Sequence, residues 1–139
     1  MRLPARVDAG DHGAVRTHLK TVARALRHAA EPTRGSRFVA DVWPVGSREE
    51  ALAALERVRQ GVADASHHCF AWRLDPEGRD TRADDDGEPN NSAGAPILRG
   101  IEGRSLAGVL VVVTRWFGGT KLGVGGLIRA YGGAAGEAL

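Results

Sequence analysis

From Gly108 to Tyr131 the chain runs from an unbroken apolar series, GVLVVV, through TRWFGGTKLGVGG into LIRAY. Few local sequences leave a backbone so little choice. A β-branched series bounded by glycines reads as a buried strand. Leu127, Ile128, Tyr131 and Ala135 then recur at helical spacing, so the glycines lie between a strand end and a helix start. Glycines that cluster at such a junction let the backbone take positive φ or let another surface approach its amides, and anions bind at that kind of place.

Three jobs remain open for these glycines. The amides of Gly118, Gly119, Gly123, Gly125 and Gly126 could face a phosphate, helped by the dipole of the following helix and by the charges of Lys121 with Arg115 or Arg129. They could instead allow close packing of helix on sheet, or form a catalytic phosphate loop. Known nucleotide motifs do not fit. A P-loop requires Lys-Ser or Lys-Thr after its last glycine, whereas Val124 and Gly125 follow Gly123; a dinucleotide fingerprint requires glycine where Ile128 stands. Arg129 could also be a surface residue whose stem covers apolar neighbours.

At 139 residues the chain suits one domain with a single core, residues 1–139, of which 1–24 form an N-terminal extension of undecided structure. No apolar run approaches the ~20 residues of a membrane span, and MRLPARVDAGDHG has no secretory h-region, so a soluble cytoplasmic protein is expected. Cys69 is the only cysteine, which excludes an internal disulfide and any multi-cysteine zinc site. A net charge of +2 conceals segregation. Residues 1–30 carry five arginines and one lysine against Asp8 and Asp11, residues 75–88 carry seven acidic side chains against Arg79 and Arg82, and residues 99–139 are basic again. A basic glycine-rich surface suits phosphate or nucleic acid, which the acidic segment would repel unless it turned away or bound a cation.

Along the chain, Val15, Leu19, Val22 and Leu26 have the spacing of an amphipathic helix over 14–30. SRFVADVWPV alternates as a strand ending at Pro44. Ser47 and Glu50 form a capping box ahead of a helix to about Gln60, with Leu52, Leu55 and Val58 as its buried stripe. HHCFAWRL is a second strand and DPEGR a turn. Thr81 to Ala95, centred on DDDGEPNNSAG, reads as a mobile acidic loop without a core; Pro96 then opens a short helix carrying Ile97, Leu98 and Ile101, stopped by Gly103.

Asp85, Asp86 and Glu88 invite a magnesium hypothesis, although their spacing is not that of a calcium loop, and a solvated acidic loop is the alternative. If His67, His68 and Cys69 lie on a strand, His67 and Cys69 share one face and His68 takes the other. The histidines are either satisfied locally or accessory phosphate contacts. No residue is identifiable that would orient a Cys-His catalytic pair. Trp72 and Trp116 read as packing residues rather than a stacking platform, since aromatic residues make up only 5% of the chain.

Taken together, SRFVADVWPV, ASHHCFAWR, DDDGEPNNSAGAPIL and VLVVVTRWFGGTKLGVGGLIRAYGGA, in that order, resemble the Impact family, called the YigZ family in bacteria, over about residues 34–136. The resemblance implies an α/β (α+β) two-layer sandwich similar to the second domain of ribosomal protein S5, with a mixed sheet, helices on one face and a left-handed βαβ connection. It also implies that the segment from about Ala25 is a strand rather than a helix. Eukaryotic members act as translational regulators by competing for a ribosome-associated activator of a starvation-responsive kinase; nucleic-acid binding is inferred for bacterial members. Two departures stand out: Asn90, Asn91 and Ser92 replace Ser-Gly-Thr, and Trp116 replaces a tyrosine. The ferredoxin-like C-terminal domain of bacterial members and the partner-binding N-terminal domain of eukaryotic ones are not expected here.

Two functional classes follow. The first is a binding module without turnover or cofactor, contacting RNA, a ribosome-associated protein or phosphate groups through Arg115, Lys121, Arg129 and the glycine amides. It leads because no positioned nucleophile is evident. The alternative is a magnesium-dependent enzyme acting on a nucleotide or phosphorylated metabolite, with Asp85, Asp86 or Glu88 holding the metal or serving as base.

Overall fold

The computed structural model describes residues 21–139. In chain order the elements are β1 (Leu26–Ala29), β2 (Arg37–Pro44), α1 (Arg48–Gly61), β3 (His67–Arg73), β4 (Thr81–Asp84), α2 (Gly94–Gly103), β5 (Val109–Trp116) and α3 (Gly123–Ala138). The strands form one sheet in the order β1-β2-β5-β3-β4.

The apolar series singled out in the sequence is the central strand. β5 pairs with β2 on one side (Val39↔Thr114, Val42↔Val111) and with β3 on the other (Cys69↔Val113, Trp72↔Leu110). Val109, Val111 and Val113 face a core shared with Ile97, Ile101, Leu127 and Tyr131 of α2 and α3. Leu110 and Val112 face a second core with Ala51, Ala54, Leu55 and Val58 of α1. A strand covered on both faces has no need of polar residues at alternate positions, which is why β5 reads as continuous rather than alternating.

The α/β class therefore holds, but two finer expectations are corrected. Helices cover both faces of the sheet rather than one, because Leu110 and Val112 would otherwise lie open to water. Every ladder is antiparallel rather than mixed. β2 and β3 run parallel to each other, joined through α1, but β5 is inserted between them and no parallel ladder forms.

Local signals explain most boundaries. Ser47 Oγ accepts from the Glu50 amide at 3.1 Å, while Glu50 returns to the Gly46 amide at 2.8 Å, so the capping box is present but displaced by one residue on its return arm. Leu52, expected in the buried stripe of α1, is 43% exposed; the stripe is Ala51, Ala54, Leu55 and Val58. Leu26–Ala29 pair with β2 from Leu26↔Val42 to Ala29↔Val39, so the strand that the family resemblance implied from about Ala25 is present in place of the helix that periodicity suggested over 14–30. Pairing along an available sheet edge outweighs a weak periodicity. The remainder of that expected helix, 14–20, lies outside the described residues. The acidic stretch is built into the fold rather than coreless: Thr81–Asp84 pair with β3, and Glu88, Ser92 and Ala93 are buried. Pro96 sits within the first turn of α2, which begins at Gly94.

Some glycines are required for space. The backbones of Gly35 and Gly118 touch, and a Cβ at Gly118 would overlap the Gly35 carbonyl; Gly94 meets the β4 backbone at Asp84 in the same way. Gly133, within α3, has open space around it. Gly118→Ala is expected to lower stability by about 1–3 kcal/mol, and Gly133→Ala to raise it by about 0.5–1 kcal/mol, both read from urea unfolding.

Asp41 on β2 is buried beside Arg27 on β1, with Arg27 Nε donating to Oδ1 at 2.8 Å. Burial pushes the Asp41 carboxyl above its ordinary value, and the Arg27 hydrogen bond and charge offset this only in part. A carboxyl raised in the folded state contributes stability that is fully present below its unfolded pKa and is lost as pH rises through the folded one. Wild type should therefore lose stability relative to Asp41→Asn as pH is raised from about 3 to about 7, measured by thermal unfolding across that range.

Candidate phosphate and nucleic-acid interface

Arg115 enters the site from the last turn of the central strand. Its side chain points to the α3 side, 4% exposed. Nη1 donates to Glu88 Oε2 at 2.8 Å, and Nε and Nη2 donate to Ser36 Oγ at 3.3 and 3.2 Å. Tyr131 of α3 donates its hydroxyl to the same Glu88 oxygen at 2.5 Å and meets Phe38 edge-on. Burial pushes the Tyr131 hydroxyl well above its ordinary pKa, with Cys69 and Glu88 adding to the shift, so it stays a donor. Sequence reasoning missed this network. Its one available signal was a glutamate in a polar segment with no other work to do.

Glu88 is carried there by the acidic loop, whose carboxylates act as backbone acceptors. Asp85 Oδ1 accepts from the amides of Ala93 and Gly94 at 3.1 and 2.9 Å, and Oδ2 from Asn91 at 2.8 Å. Asp85 thus satisfies the start of α2, which has no cap of its own. Asp86 Oδ2 accepts from the His68 amide at 2.7 Å, and the Asp86 carbonyl accepts from His67 Nδ1 at 2.8 Å. Asn91 has φ +64°, a conformation asparagine tolerates better than most residues. For the magnesium expectation, the geometry is this: Asp85 and Asp86 accept from amides, Glu88 Oε2 accepts from Arg115 and Tyr131, and no group of three or more metal-ligating side chains occurs among the described residues.

His67 and Cys69 share a face and His68 lies on the other, where its Nε2 donates to the Val62 carbonyl at 3.0 Å. Cys69 is buried, its thiol donates to the Asp85 carbonyl, and burial pushes its pKa far up, which makes it a structural thiol rather than a nucleophile.

The predicted phosphate residues divide into two sets. Arg115 is paired with Glu88, and the Gly118 amide donates to Ser36 Oγ at 3.2 Å, so both are engaged within the fold. Gly119 and Gly123 take φ of +93° and +75°, where an added Cβ would meet nothing but would strain the backbone. Gly123, Val124 and Gly125 open α3, and no side chain caps it, which leaves the first-turn amides without intrahelical acceptors. Gly126 packs on Leu122. Lys121 is exposed and lines a cleft of about 370 Å³ with Gly123, Phe117, Glu88 and His67. Arg129 lines a neighbouring cleft of about 350 Å³ with Arg34, and Leu122 belongs to both. Lys121 and Arg129 are thus on adjacent clefts rather than in one pocket, and Arg34 is a cation that sequence reasoning did not select. A larger depression of about 620 Å³ lies by the start of α1, but Ser47 already caps that helix.

The Impact N-terminal domain model matches residues 34–139. The chain belongs to the Impact family. It is 51% identical over 104 residues to an IMPACT family member of Thermus thermophilus, covering 75% of this chain and 55% of that protein. With IMPACT family member YigZ of Escherichia coli it shares 39% identity over 111 residues, covering 78% and 54%. The crystal structure of a hypothetical protein superposes with a TM-score of 0.79 at 36% identity, covering 84% of this chain and 57% of its own. This chain therefore spans about half the length of the relatives it matches. No helix among the described residues is long and apolar enough to cross a membrane.

Removing one partner of a buried ion pair strands the other charge. Arg115→Ala is expected to cost about 3–5 kcal/mol, and Tyr131→Phe about 1.5–3 kcal/mol, since its hydrogen bond goes to a charged group. Replacing Arg115 and Glu88 together by methionine should recover much of the loss, as judged from urea unfolding of the single and double variants.

Proposed function

We propose that this domain is a non-catalytic module that binds the phosphate backbone of RNA in a translation-related regulator. The observation that carries this is the arrangement around Leu122: Lys121 and the uncapped start of α3 open on one cleft, and Arg34 and Arg129 open on the next. Two neighbouring cationic clefts suit successive phosphates, with the helix amides adding fixed positive potential at the first.

The link to translation is supported by membership of the Impact family, whose eukaryotic members the sequence resemblance connects with translational control. A ribosome-associated protein with an acidic surface is the second partner this face suits, and a cytoplasmic location is part of the same proposal. Binding without turnover is favoured because the lone thiol is buried and bonded, and the acidic side chains near the clefts are committed to backbone amides or to Arg115. No metal is needed for such a contact.

Each neutralised phosphate on a single strand contributes about −0.7 to the slope of log affinity against log salt. Titration of labelled RNA at several salt concentrations should show affinity falling steeply for wild type. Lys121→Ala and Arg129→Ala should each flatten that slope by about 0.7, with both proteins folded by thermal melt. Equal binding by wild type and the double variant, or no binding by either, would overturn the proposal.

A further inference from the structure

The cleft beside Lys121 has more in it than a phosphate requires. Its floor holds the Glu88 carboxylate, whose side chain is 4% exposed. Oε2 is saturated by Arg115 and Tyr131. Oε1 is left to the cleft, with His67 Nε2 3.6 Å away, beyond hydrogen-bond length. An acceptor open to the base of an otherwise largely apolar cleft suits an N–H donor from outside.

The walls fit the same guest. Phe117 is 50% exposed, and its backbone is pinned by donation to Ser66 Oγ at 2.9 Å. The Arg115 guanidinium lies 5.4 Å from its ring, so the ring is held without being covered. Val124, 52% exposed, forms another part of the apolar lining. An aromatic face, a buried carboxylate oxygen and a cationic mouth at a helix start are the three elements that recognise an unpaired base and its phosphate.

We propose that this cleft is a base-reading subsite: one unpaired nucleotide lies on Phe117, donates an exocyclic amine N–H to Glu88 Oε1, and places its phosphate at Lys121 and the first amides of α3. Adenine and cytosine carry such an amine. Uracil has none, and the two carbonyl oxygens flanking its single N–H are repelled by the carboxylate. This subsite rests on the RNA-binding proposal and adds to it a preference for single strands and for bases.

The test is a titration of labelled octamers of adenylate, cytidylate and uridylate and of an RNA duplex at one salt concentration, with cytidine 5′-monophosphate followed separately by NMR. The adenylate and cytidylate octamers should bind about tenfold more tightly than uridylate, and the duplex more weakly than either. Phe117→Ala, at a half-exposed position and checked by thermal melt, should lower single-strand affinity about tenfold while leaving the salt slope intact. Glu88→Gln should shift preference toward uridylate, because an amide can donate to its carbonyls. Equal affinity for all three octamers and the duplex, with a steep salt slope, would remove the base subsite and leave the backbone contact standing. Binding of none of the oligomers would remove both, unless cytidine monophosphate alone perturbs Phe117 and Lys121. That result would assign the cleft to free nucleotides and end the RNA proposal.

Discussion

The Arg115–Glu88 ion pair is the contact on which the rest of the site depends. Two opposite charges, both nearly excluded from water, are joined at 2.8 Å. The desolvation of such a pair is offset only when the remaining donors and acceptors find partners. Ser36 and Tyr131 supply them, so four separate parts of the chain meet here: the start of β2, the end of β5, the acidic loop and α3. The pair fixes where the loop comes to rest, and the loop in turn supplies one wall of the cleft at the start of α3. Interactions that specify position rather than add net stability are the expected product of buried charge in a small domain, and this one specifies the site's shape.

Much of the scaffold was legible because each element carries a local reason for its conformation. The β-branched run of β5, the Ser47–Glu50 box and the alternation of β2 are signals of that kind. What was illegible depends on partners far away in sequence. Leu26–Ala29 has helical spacing but lies against Val39–Val42, and edge pairing decided the matter. The acidic segment is polar throughout, yet Asp85 serves α2 from nine residues before its first helical amide at Gly94. Composition cannot reveal a carboxylate used as a remote cap.

The candidate site was legible in the same uneven way. Placing glycines between a strand and a helix led to the surface that holds the two clefts, and Lys121 and Arg129 line them. Arg115, selected for its charge alone, turned out to be neutralised, since nothing local distinguishes an arginine that faces water from one that faces a buried glutamate 27 residues away. Phe117 was passed over because a single ring among few aromatics offers no pattern. The glycines also do different work: Gly118 admits a neighbouring backbone, while Gly119 and Gly123 supply left-handed turns. A glycine-rich string records several constraints at once and does not say which residue answers to which.

The position of β5 in the sheet has a consequence for how the chain is made. Its partners β2 and β3 end at Pro44 and Arg73, whereas β5 begins only at Val109. Until that strand has left the ribosome, β2 and β3 have a gap between them and no shared ladder, while α1 and the β1–β2 and β3–β4 hairpins are local enough to form. During synthesis the nascent chain must therefore carry unpaired strand edges until β5 emerges, and only then does the sheet close around its own centre.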